Sequence, residues 1–95
     1  MAKYRLSVEA KEDLIRIHHY EIQKFGVLQA DNYFRAFFEC FERIAQNPYQ
    51  FELVDYVRTG YRRCVCGVDS IYFRMRNDVV EIISIIGRQD IDTFK

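Results

Sequence analysis

The sequence predicts an α+β domain: an N-terminal strand, then an antiparallel two-helix hairpin packed on one face of a mostly antiparallel sheet of about four strands. Three observations lead there. Apolar residues recur at helical spacing through the first half of the chain, they alternate through the second half, and Asn47-Pro48 stands between the two regimes. With 95 residues and 49% apolar side chains, the chain is read as a single folded domain, residues 1–95, built on one core.

Lys3 to Val8 reads as a short strand, with Tyr4, Leu6 and Val8 on one face and Lys3, Arg5 and Ser7 on the other. Ser7 then offers an N-cap. Leu14, Ile17, His18, Ile22 and Phe25 recur as the stripe of a first helix, which Gly26 ends. In the second helix Ala30, Tyr33, Phe34, Phe37, Phe38, Phe41, Ile44 and Ala45 follow the helical offsets without a miss, up to Asn47-Pro48. So short a connection between the helices makes them an antiparallel hairpin with an aromatic inner face.

Pro48 to Thr59 has no clean period, yet its Tyr49, Phe51, Leu53, Val54 and Tyr56 are too apolar for a free loop, so it is expected to pack across the sheet. Three strands follow, Tyr61 to Gly67, Ile71 to Arg76 and Val79 to Ile86, with turns at Val68-Asp69-Ser70 and Asn77-Asp78. Alternation puts Ile71, Phe73 and Met75 on the helix side and Tyr72, Arg74 and Arg76 on an outer face that is left open.

No apolar run approaches the roughly 20 residues that span a bilayer, and the charged start MAKYRLSVEAKED does not suit a signal peptide, so the expected location is the cytoplasm, with no membrane contact. Cys40, Cys64 and Cys66 are expected as small buried thiols. Alternate strand residues such as Cys64 and Cys66 point the same way with or without a metal, and His18 and His19 diverge on a helix, so neither a metal nor a cofactor is expected.

The formal net charge is zero, which argues against general adhesion to nucleic acid or sequence-specific binding of it. Charge is nevertheless uneven: six of the ten arginines lie from Arg58 onward. Arginines fixed on strands, with permanent charge and a planar fork of donors, form a candidate surface for phosphate or carboxylate groups. Arg74 and Arg76 can equally serve to solvate the outer face.

The chain resembles the ParE toxins of the RelE/ParE toxin–antitoxin superfamily. YRLSVEAKEDLIRI is similar to the family's first strand and helix, KFGVLQADNYF to its interhelical turn, IAQNPYQF to its helix end, and GYRRCVCGVDSIYFRMRNDVVEIISIIGRQD to its terminal hairpins. The resemblance implies a RelE/ParE-like fold and a toxin of a type II system. It further implies a non-enzymatic inhibitor of DNA gyrase, held inactive in a hetero-oligomer with a cognate ParD-like antitoxin.

RelE relatives instead cut messenger RNA on the ribosome, and an inactive relative that only binds antitoxin is a third possibility. Cutting at the 2′-hydroxyl needs groups that take and give protons. Both histidines lie in the first helix, Phe94 stands where a ribonuclease relative would carry a tyrosine, and Ile86-Gly87 replace the histidine that many ParE sequences carry before Arg-x-Asp. No catalytic residue is therefore assigned. The target-binding candidates are Arg62, Arg63, Arg88, Tyr61 and Arg74, the arginines at 62, 63 and 88 being expected in one basic patch. Apolar residues in excess of what so small a core can hide suggest a groove beside the hairpin and across the sheet for the antitoxin's tail, with Ile15, Tyr20, Phe51 and Tyr56 on its rim.

Overall fold

The computed structural model describes residues 3–87. Strand β1 (Lys3–Leu6) leads into helices α1 (Val8–Phe25) and α2 (Val27–Gln46). A single 3-10 turn at Pro48–Gln50 precedes β2 (Glu52–Leu53), β3 (Arg62–Cys66), β4 (Asp69–Arg76) and β5 (Val79–Gly87). The sheet order is β1-β5-β4-β3-β2, antiparallel throughout except that β1 runs parallel to β5. The α+β reading therefore holds, with five strands in place of about four. The additional strand is the two-residue β2, too short to carry a period of its own.

Ser7 starts α1 by accepting a hydrogen bond from the Ala10 amide at 3.0 Å, while its own hydroxyl donates to the Ile83 carbonyl at 2.7 Å. Ile83 is the extra residue of a bulge, because Tyr72 faces Ser84 while the next residue, Phe73, faces Ile82. One side chain thus caps the helix and ties it to the irregular point of β5. Where β1 stops, α1 takes over the edge of β5: the Ile85 amide donates to Asp13 at 2.9 Å. Gly26 joins the two helices with φ of 89°, a conformation that glycine adopts without a Cβ penalty.

The core lies between the hairpin and one sheet face, with Phe37, Phe41, Ile44, Ile71, Phe73, Val80, Ile82 and Ile85 fully buried. In α1 the buried positions are Ala10, Leu14 and Ile17, whereas Phe25 is 62% exposed, contrary to its place in the apolar stripe. Buried residues of α2 likewise concentrate in its C-terminal half, so the closed end of the hairpin projects past the sheet. Helical period reports which residues share a face, but not how far the sheet beneath extends.

The turn between β3 and β4 is Gly67-Val68, one residue earlier than expected, and Asn77-Asp78 joins β4 to β5 with φ of 52° and 65°, the mark of a type I′ hairpin. Residues 48–59 do pack against the sheet. β2 pairs with β3, Val54 is fully buried, and Phe51 meets Phe73 edge to face with ring centroids 5.9 Å apart. No helix among the described residues is long and apolar enough to cross a membrane.

Candidate functional site

Register across the sheet assembles the cations. Arg5 of β1 stands opposite Glu81 of β5, which stands opposite Arg74 of β4, on the face turned away from the helices. Both guanidiniums reach the same carboxylate, Arg74 at 2.7 Å and Arg5 at 3.0 Å. The Arg74 hydrogen bond, opposed by partial burial and reinforced by Arg5, holds the Glu81 carboxyl below the usual glutamate range. Tyr61, half-buried just before β3, accepts a hydrogen bond from the Val54 amide through its carbonyl at 2.7 Å.

Arg63 occupies the same outer face, opposite Tyr72, and pairs with Glu52 of β2 at 3.1 Å. Burial works against its charge, but hydrogen bonding to Tyr72 and the Glu52 carboxylate outweigh that and raise its pKa; its Nε is buried without a hydrogen-bond partner among the described residues. Lys3 and Arg76 extend the surface, so cations on this face outnumber Glu52 and Glu81. The face is not uniformly open, since Tyr72 and Ser84 lie on it and are nonetheless buried. A shallow groove of about 220 Å³ runs beside Arg63 and Tyr72, lined also by Ser70, Val68 and Ile86.

Arg62 is elsewhere. It sits opposite Phe73 on the helix side, donates to the Phe51 carbonyl at 2.7 Å, and holds its guanidinium 5.2 Å from the centre of the Tyr49 ring. Arg62 and Arg63 therefore do not share the single patch expected of them, because neighbours in a strand point to opposite faces. Arg88 lies outside the described residues. Arg5 was not among the sequence candidates. Its polar position in β1 was legible, but only the parallel pairing of the first strand with the last brings it to Arg74.

The four apolar rim candidates separate into two regions. Ile15 and Tyr20 are exposed on α1, which lies over β5 and β1, while Phe51 and Tyr56 flank β2 at the opposite edge of the sheet. Tyr56 is exposed, but Phe51 is half-buried against the core. Tyr20 lines a second groove of about 260 Å³ with Arg16, Ile17, Glu21, Val68 and Asp69. Beneath it Tyr33 donates to Asp69 at 2.6 Å; burial first, then this bond, push its phenol well above the ordinary range. The hairpin end adds Val27 and Leu28, both exposed, next to Phe25, which the sequence pattern places in the apolar stripe of the first helix.

Against known proteins, residues 4–92 match the family model for the ParE toxin of the type II toxin–antitoxin system parDE. Toxin ParE1 of Caulobacter vibrioides is 40% identical over 86 residues, 90% of this chain and 88% of that protein. Toxin ParE1 of Mycobacterium tuberculosis is 28% identical over 93 residues, 96% of this chain and 95% of the relative. A solved structure described as the chromosomal ParDE TA system from P. aeruginosa superposes with a TM-score of 0.81 at 19% identity, covering 92% of this chain and 96% of that one, which is a likeness of fold.

Proposed function

Because the chain belongs to the ParE family of toxins from type II toxin–antitoxin systems, we propose that it arrests growth by binding DNA gyrase in the cytoplasm and that a ParD-like antitoxin neutralises it. The observation that carries this reading is the cationic outer face, on which Arg5, Arg63 and Arg74 are anchored by Glu81 and Glu52. A binding inhibitor needs only fixed charges and donors placed to meet phosphate or carboxylate groups. RNA cleavage would need proton carriers as well, and both histidines of the chain lie on α1, across the sheet from these cations, with His18 held by Asp31 of α2 at 2.9 Å.

Exposed apolar side chains on α1 and around β2, with Ile15, Tyr20 and Tyr56 foremost, supply a path for an antitoxin segment that covers them in a hetero-oligomer. The test is a supercoiling assay with purified gyrase beside toe-printing on translating ribosomes. Loss of supercoiling or trapped cleaved DNA, relieved by the antitoxin and without cuts in messenger RNA, is the expected result. Codon-positioned cleavage with gyrase unaffected would overturn the reading in favour of a ribonuclease.

A further inference from the structure

The cations of the outer face are arranged in columns. Lys3 and Arg5 alternate along β1, Arg74 and Arg76 along β4, and β5 lies between the two strands. Lys3 and Arg76 both stand opposite Val79, and Arg5 and Arg74 both stand opposite Glu81. The Glu81 side chain, 14% exposed, holds the two inner arginines in place. Lys3 and Arg76 are exposed, and among the described residues no acid pairs with either. With Arg63 the face carries these cations against Glu52 and Glu81, while Asp78 lies beyond them in the turn.

Taking the outer face as the target-binding surface, as the gyrase reading does, we propose that its cationic columns lie against the phosphate backbone of the duplex DNA that gyrase holds. Residues of an extended strand advance about 3.4 Å each, and each strand of a duplex carries one phosphate per about 3.4 Å of its axis. Cations two residues apart on β1 or β4 therefore keep step with every second phosphate of a DNA strand running alongside.

The composition of the face separates DNA from an acidic protein surface. Protein interfaces are anchored by aromatic or aliphatic side chains in a centre poor in charge. Of the large apolar residues exposed on the described strands, only Val65 belongs to this face, and it stands opposite Ser70 at the end of the sheet away from Val79. Between the two columns the contact is made by charge, which suits a backbone that is met through Arg and Lys without reading bases. Zero net charge does not oppose this. It denies the chain long-range attraction to nucleic acid, so the affinity is that of the patch alone, and gyrase supplies DNA at high effective concentration beside a bound toxin.

The experiment follows the fluorescence anisotropy of a short labelled duplex of mixed sequence as the purified toxin is added, without gyrase, over a series of salt concentrations. About three or four phosphate contacts give a log–log slope of about −2.7 to −3.6, a loss of about 40- to 150-fold in affinity between about 50 and 200 mM salt. The same duplex with uncharged methylphosphonate linkages should not bind. Lys3→Ala and Arg76→Ala, which break no ion pair of the described residues, should each weaken binding alike on any sequence and make the slope shallower by about one. No binding at the lowest salt would overturn the proposal, as would equal binding of the methylphosphonate duplex, or an unchanged slope in both variants when circular dichroism shows them folded. Binding of poly-glutamate in place of the duplex would overturn it in favour of an acidic protein surface. The two wild-type readouts hold whether or not a variant folds. Because gyrase is absent, their failure leaves the supercoiling result standing, and a gyrase unaffected by the toxin would count against the gyrase reading alone.

Discussion

Arg62 and Arg63 are consecutive in β3 and belong to different surfaces: Arg62 is fixed under Tyr49 by the Phe51 carbonyl, and Arg63 pairs with Glu52 on the outer face. Their substitutions should therefore separate. Arg62→Ala removes a hydrogen bond and a ring contact that hold residues 49–51 to the sheet and is expected to cost about 1–2 kcal/mol of stability, read by urea unfolding. Arg63→Ala should change stability by under about 1 kcal/mol.

On the outer face, removing a cation that meets the target should weaken inhibition while antitoxin binding survives. Arg63→Ala and Arg74→Ala are each expected to raise the concentration needed to inhibit gyrase by roughly ten- to a hundredfold, the value of one charge-assisted hydrogen bond. The triple variant Arg5→Ala, Arg63→Ala, Arg74→Ala inhibiting at wild-type concentration would place the active surface elsewhere.

Glu81 has its carboxyl pKa lowered in the folded protein, so the unfolded chain binds the proton more readily. Its contribution is complete above about 4.3, the value of an unperturbed glutamate, and is lost as pH falls from there through the folded pKa. Unfolding free energies from pH 6 to pH 3 should show wild type and Glu81→Gln converging toward the acid end. A constant difference across that range would refute the linkage.

Gly67 has φ of 61°, and a Cβ built there would stand 2.6 Å from the Tyr33 hydroxyl. Gly67→Ala must displace the Tyr33 ring end, which also donates to the Cys66 carbonyl at 3.0 Å and to Asp69. Destabilisation of about 1–3 kcal/mol is expected, and Tyr33→Phe should remove part of the added cost in a double-mutant cycle.

Local chemistry made most of the fold legible. Ser7, Gly26, Asn47-Pro48 and Asn77-Asp78 are punctuation whose meaning is contained in a few neighbouring residues, and each stands at the end it was read to mark. What escaped was non-local. The pairing of Arg5 with Glu81 depends on which strand lies beside the first, and the exposure of Phe25 depends on where the sheet ends under the hairpin. The site was half legible for the same reason: GYRR displays two arginines, but only the strand phase, set by Phe73 and Tyr72 opposite them, tells which face each serves.

The parallel contact of β1 with β5 joins Lys3 to Val79, the first strand to the last. During synthesis the opening strand therefore waits, unpaired, until almost the whole polypeptide has been made, although the helical hairpin can form long before. A truncated product lacking β5 has neither the neighbour of β1 nor the carboxylate that gathers Arg5 and Arg74. Unfinished copies of the chain therefore lack the cluster of Arg5, Glu81 and Arg74, which is assembled only once β5 has been made.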